Sequence, residues 1–102
     1  MPNNFQDIIN KAVEVREKYS QTSPKQWNVE QVFMGMVKDV GDLSKILMVN
    51  GEYRNDLDKD IKEALQHELA DILYCIAVIA DKTGVDLEKS FWQAMSEIEN
   101  KL

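Results

Sequence analysis

HELADILYCIAVIA, residues 67–80, contains the longest strongly apolar stretch of the chain, Ile72–Ala80. A helix with this sequence carries apolar side chains nearly all the way round, so it must be covered on more than one side. A chain of 102 residues can bury only a modest core. We therefore expect the chain to associate with itself, with this helix central to the interface.

Three other segments have the apolar spacing of amphipathic helices. Together with residues 67–80, which belong to the third helix, these segments predict helices over about residues 4–19, 24–49, 60–82 and 86–101. The capping and terminating residues that predict these bounds are Ser23-Pro24, Asn50-Gly51, Asp58 or Asp60, Thr83-Gly84 and Asp86. Only four glycines and two prolines are present, which also favours helices over sheets. We predict one all-α domain spanning residues 1–102.

Composition excludes several classes of protein. The formal charge of −6 argues against a nucleic-acid-binding protein or one that binds anionic membranes, because both surfaces require clustered Lys and Arg. No secretory signal is visible, and Ile72–Ala80 is too short to span a bilayer. Cys75 is the single cysteine, which excludes an intrachain disulfide and fits a reducing compartment. We expect a cytoplasmic protein in which Cys75 is a small core residue.

Two pairs of carboxylates stand out, Asp39 with Asp42 and Glu68 with Asp71. Residues three apart on a helix emerge on the same face. Their apolar flanks, and Gly41 inside the first pair, indicate that these acids lie in the core, where two helices approach closely and a cation balances the charge. Hard oxygen ligands favour Mg²⁺, or Mn²⁺, and Mg²⁺ sites often act on phosphate esters. Acidic pairs are also common on solvated helix faces, so the spacing alone leaves both interpretations open.

The order of these motifs resembles a known family. It runs Trp27, Asp39-Val40-Gly41-Asp42, 25 intervening residues, Glu68-Leu69-Ala70-Asp71-Ile72-Leu73-Tyr74, and Gly84-Val85-Asp86-Leu87-Glu88. This arrangement resembles the MazG-like nucleoside triphosphate pyrophosphohydrolases, which have a Glu-Glu-x-x-Glu motif, a spacer and a Glu-x-x-Asp motif. The resemblance covers about residues 24–92, and the second motif is the more specific match.

The resemblance implies a four-to-five-helix MazG-like fold whose four-helix bundle is completed by dimerisation or tetramerisation. It implies that Asp39, Asp42, Glu68 and Asp71 bind Mg²⁺, and that a nucleoside triphosphate is split into monophosphate and pyrophosphate. The metal would orient the phosphates, polarise the α-phosphoryl group and lower the pKa of the attacking water. Asp39, at the edge of the cluster, is the candidate proton acceptor.

The chain departs from the family pattern at three points. Lys38 stands where the first motif begins with Glu, both ligands of that motif are the shorter Asp, and Ala94, Glu97 and Ile98 replace Lys and Asn residues of the fourth helix. The phosphates would then be bound by other cations, for which the candidates are Lys45, Lys38 and Arg54. Trp27 is a candidate for stacking on the base, or else packs the start of the second helix.

His67 points about 100° away from Glu68 on a helix, so we predict a surface position, or a contact with a metal ligand, rather than metal ligation. The departures leave two hypotheses. The chain is either a Mg²⁺-dependent nucleotide pyrophosphohydrolase or a non-catalytic helical oligomer of the same fold that binds metal or nucleotide.

Overall fold

The computed structural model describes residues 4–22, 28–53 and 60–102, which form four helices and no strand. The helices are α1 (Phe5–Thr22), α2 (Val29–Asn50), α3 (Ile61–Thr83) and α4 (Leu87–Lys101). For this part of the chain the prediction of an all-α fold is confirmed. Three of the four helices begin within one residue of the predicted position, whereas α2 begins later.

The chain divides into two compact units, and α3 contributes to both. One unit combines α1 with α4 and the part of α3 that starts at Ala77. The other combines α2 with the part of α3 that ends at Ile76, and it contains both acidic pairs. The buried residues of the first unit include Ile9, Arg16, Ala77, Val78 and Ala80, and those of the second include Val32, Ile46, Ala64 and Cys75. Small side chains on α3 therefore form much of each core.

Cys75 is free and buried, as predicted. Burial raises the pKa of its thiol, and the negative charges of Asp39 and Asp71 raise it further. The thiol is therefore protonated at neutral pH and is a poor nucleophile.

Side chains and glycine cap the helices where the sequence indicates. Asp60 and Asp86 accept hydrogen bonds from the backbone N–H groups of Glu63 and Lys89, at 3.0 and 3.1 Å. At the end of α3, Gly84 adopts φ +73°, and the N–H of Val85 donates to the carbonyl of Ala80 at 2.9 Å. This is a Schellman turn, in which glycine supplies the left-handed residue. These hydrogen bonds identify Asp60 as the cap of α3, and the alternative cap Asp58 lies outside the described residues.

The start of α2 differs from the prediction of residue 24. Asn28 has the extended conformation of an N-cap, and its side chain accepts from the N–H of Gln31 while its own N–H donates to the Gln31 side chain. This reciprocal capping box begins the helix at Val29. The predicted cap Ser23-Pro24 lies outside the described residues.

The end of α2 also differs from a glycine stop. Gly51 has φ −84°, and the left-handed residue is Glu52 with φ +66°. The N–H groups of Glu52 and Tyr53 donate to the carbonyls of Val49 and Met48 at 3.0 and 2.8 Å. The hydrogen bonds are those of a Schellman turn, but a side chain occupies the position that favours glycine.

Many large apolar side chains of the unit formed by α2 and the first part of α3 are exposed. They include Phe33, Met34, Val37, Val40, Leu47, Leu69, Leu73 and Ile76. The sequence pattern of α3 predicts the exposure of Leu69, Leu73 and Ile76 in a single chain, because one neighbouring helix cannot cover an apolar surface that extends round the helix. Among the described helices, none combines the length and apolar character needed to cross a bilayer.

Candidate metal centre

Three of the four predicted metal ligands come together between α2 and α3. One carboxylate oxygen from each of Asp39, Asp42 and Glu68 lies within 4.8 Å of the others. Asp39 and Asp42 share a face of α2 because they are three residues apart, and Glu68 approaches from α3. The cluster therefore joins the two acidic motifs within one compact unit.

Glu68 is the most perturbed acid of the cluster. Its Oε2 atom is shielded from solvent and accepts no hydrogen bond from the part of the chain that the structure describes. Burial raises the pKa of its carboxyl, and the charges of Asp39, Asp42 and Asp71 raise it further, against a smaller lowering by His67. An ionised Glu68 is thus destabilised at this position, and a cation in the cluster would remove that penalty.

The carboxylates lie closer to solvent than we predicted. Asp39 and Glu68 are half-buried, and the side chains of Asp42 and Asp71 are 49% and 47% exposed. The prediction that these carboxylates lie in the core is therefore wrong for the single chain. The prediction that two helices approach closely at Gly41 is also wrong. A methyl group at this exposed position would have no neighbour within 4 Å among the described residues.

Asp71, the fourth predicted ligand, is not part of the three-residue cluster. Its Oδ2 lies 3.1 Å from Nε2 of His67, one turn earlier on α3. His67 is exposed and contacts a predicted ligand, as expected from its position on the helix. Spacing of four residues allows such a contact and could have identified the pair in the sequence.

Lys38 was predicted to bind substrate phosphate, and in the structure it contacts an acid of the cluster. Its Nζ donates to Oδ2 of Asp42 at 3.3 Å. This hydrogen bond raises the pKa of the Lys38 ammonium, and the charges of Asp42, Asp39 and Glu68 add to the effect. The cluster thus contains a cation of its own, which the i, i+4 spacing of Lys38 and Asp42 could have predicted.

The donor set fits a hard divalent cation. Three oxygens spread evenly round one ion are at most about 3.6 Å apart on Mg²⁺ and about 4.2 Å apart on Ca²⁺. The three oxygens lie within 4.8 Å of one another, so modest side-chain rotations that draw them inward would let them bind either ion. The shielded oxygen of Glu68 is the group that gains most from a bound cation.

Of the three remaining predicted site residues, one lies among the residues that the structure describes. Lys45 lies on α2, one turn after Asp42, and is half-buried. Trp27 and Arg54, the predicted contacts to base and phosphate, lie outside the described residues. Among the predicted phosphate-binding cations, Lys38 donates a hydrogen bond to an acid of the cluster, Asp42.

Neither a scan against protein-family models nor a search of curated proteins finds a match to this chain.

Proposed function

We propose that this chain is a Mg²⁺-dependent nucleotide pyrophosphohydrolase that splits a nucleoside triphosphate into monophosphate and pyrophosphate. The observation that carries the proposal is the convergence of Asp39, Asp42 and Glu68 from two helices, with their oxygens within 4.8 Å. The order and spacing of the motifs support it independently, through their resemblance to MazG-like enzymes. Asp71 would serve as a fourth ligand if its carboxylate turned away from His67.

The acids would hold the metal, and one of them would also move a proton. When bound, Mg²⁺ neutralises phosphate charge and polarises the α-phosphoryl group. Glu68, Asp42 and Asp39 would hold the metal, and Asp39, at the edge of the cluster, would also accept the proton of the attacking water. Because Lys38 is exposed beside the cluster, its ammonium could move from Asp42 to a substrate phosphate.

The proposed enzyme acts as a homodimer or homotetramer. The apolar side chains exposed on α2 and α3 support this, because large exposed apolar surfaces mark interaction sites. A second copy packed on this unit would also bury the acidic cluster more deeply. Stronger burial would increase the energetic need for a cation.

A non-catalytic function is favoured by the ion pair between Lys38 and Asp42. An internal cation partly neutralises the cluster, so the fold can persist without Mg²⁺. Such a protein would bind metal or nucleotide without turnover. The ion pair is exposed to solvent and therefore weak, so it would not prevent a metal from binding Asp42.

Product analysis with a panel of canonical and modified nucleoside triphosphates tests the proposal. With Mg²⁺ we expect monophosphate and pyrophosphate, and loss of at least about 100-fold in kcat for Glu68→Gln and Asp39→Asn. Glu63→Gln, an exposed acid on the same helix, is the matched control and should retain activity. Absence of turnover with every nucleotide, or undiminished turnover in Glu68→Gln and Asp71→Asn, would overturn the enzymatic proposal. Metal binding without turnover would favour the non-catalytic alternative.

A further inference from the structure

A small pocket lies between the first residue of α1 and the first two turns of α4, in the unit that does not contain the acidic cluster. Its lining residues are Phe5, Glu88, Phe91 and Trp92, and its volume is about 360 Å³. This is near the lower end of the range for small-molecule sites, roughly 300–1,000 Å³. Three aromatic residues and one acidic residue thus line a mainly apolar space that fits a small ligand.

The rings of Phe91 and Trp92 meet edge to face rather than in a stack. The ring centroids of Phe91 and Trp92 are 5.4 Å apart, and their planes meet at 76°. Both side chains are accessible, with Phe91 49% and Trp92 63% exposed. Glu88 precedes them by three and four residues, so it lies on the same side of α4.

The chemistry of these groups selects positive charge. Aromatic ring faces carry partial negative charge, and they attract cations within about 6 Å of the ring centre. Glu88 adds a full negative charge, and the chain as a whole carries −6. A phosphate or carboxylate ligand would be repelled, which disfavours a nucleotide at this pocket.

Among cations, the apolar walls favour a weakly hydrated one. A primary ammonium is compact and strongly hydrated, so it gives up much hydration when it enters an aromatic site. An alkylated ammonium has an apolar surface of its own and is the ligand that aromatic cages recognise. We propose that this pocket binds a small organic cation that carries a quaternary ammonium group.

Titration of the full chain with choline, followed by the indole N–H signals in NMR, tests this proposal. The chain has two tryptophans, and comparison with Trp92→Phe assigns the signal of Trp92. The neutral alcohol 3,3-dimethylbutan-1-ol has the shape of choline without its charge. We expect choline to shift the Trp92 signal and to bind at least about fivefold more tightly than the alcohol.

A charge variant tests the carboxylate separately. Glu88→Gln should weaken choline binding about fivefold and leave binding of the neutral alcohol unchanged. Glu99→Gln, another acid on α4, removes the same charge away from the pocket and should bind choline as the wild type does.

Three results would overturn the proposal. The first is that choline does not shift the Trp92 signal. The second is that choline and the alcohol bind the wild-type chain with equal affinity. The third is a change in oligomeric state in Trp92→Leu without any response to choline, which would assign the pocket to a contact between copies of the chain.

Discussion

Lys38 is the residue at which this site differs most from a simple cluster of acids, because it holds a fixed positive charge against Asp42. A divalent cation that takes Asp42 must first break this pair. Because the pair is exposed to solvent it is weak, and its loss should change metal affinity by no more than about fivefold. We expect Lys38→Gln to bind Mn²⁺ or Mg²⁺ about two- to fivefold more tightly in calorimetry.

The matched control for this variant is Lys62→Gln, which removes the same charge from an exposed position at the start of α3. Its metal affinity should stay closer to that of the wild type. Equal affinities of Lys38→Gln and the wild type would mean that the metal does not use Asp42.

Glu68 makes the stability of the metal-free protein depend on pH. Its pKa is raised in the folded state, mainly by burial and then by Asp39 and Asp42, so the ionised carboxylate destabilises the fold. The penalty is complete above the folded pKa and disappears as the pH falls below the ordinary value of 4.5. Without metal, Glu68→Gln should therefore be more stable than the wild type at neutral pH, and this advantage should vanish in acid.

Urea unfolding across this pH range, with and without Mg²⁺, measures the effect. Mg²⁺ should stabilise the wild type but not Glu68→Gln, because a ligand stabilises only the state that binds it. Glu63→Gln serves as the control. A stability difference that is independent of pH would show that Glu68 does not titrate as its surroundings imply.

At the level of single residues, helical spacing was enough to predict that Asp39 and Asp42 share a face. The meeting of these acids with Glu68 depends on how α2 packs on α3, which spacing alone does not determine. The i, i+4 spacing of Lys38 with Asp42 and of His67 with Asp71 could also have predicted these two contacts. The burial of the acids was overestimated because apolar neighbours in sequence, such as Val40, are themselves exposed in the single chain.

At the scale of elements, the turn that ends α2 includes a residue with an unfavourable backbone conformation. This residue is Glu52, which has a side chain and φ +66°. The left-handed conformation costs about 1–2 kcal/mol for a residue with a Cβ atom. Glycine removes that cost but gains entropy in the unfolded chain, so a part of the benefit is lost. We expect Glu52→Gly to raise the free energy of unfolding by about 0.5–1 kcal/mol in urea titrations.

Glu52→Ala is the control for this effect. It removes the same charge but keeps the Cβ atom, so it should not reproduce the gain. If both variants stabilise the protein equally, the cause is the negative charge near the C-terminal end of α2 rather than the backbone conformation.

The helix bounds show which local signals decide between competing caps. Asp86 and Gly84 were predicted correctly because each stands alone at the end of an apolar pattern. At the start of α2, Ser23 and Asn28 both have a suitable partner three residues later, and the pattern could not choose between them. At its end, Gly51 and Glu52 are adjacent, and the hydrogen bonds of the turn place the left-handed residue one position beyond the glycine.

For the molecule as a whole, the apolar surface of α3 connects the fold to the proposed function. The sequence predicts helices and an uncovered α3, but not the division of the chain into two units, because that division depends on long-range packing. In the unit with the acidic cluster, exposed apolar side chains lie beside the proposed ligands. Leu69, for example, directly follows Glu68 and is 54% exposed.

This arrangement predicts that self-association depends on α3. We expect the wild type to sediment as a dimer or tetramer and Leu69→Lys to dissociate toward monomer, because burying an unpaired ammonium at an interface is strongly unfavourable. Ile98→Lys on α4 is the control, since Ile98 has nearly the same exposure but lies outside this unit. Both positions are half-exposed, so neither change should unfold the chain, and circular dichroism verifies this. The proposed interface would be contradicted if the wild type stayed monomeric at all concentrations or if both variants dissociated equally. The apolar surface of α3 would then be a binding site for a different partner.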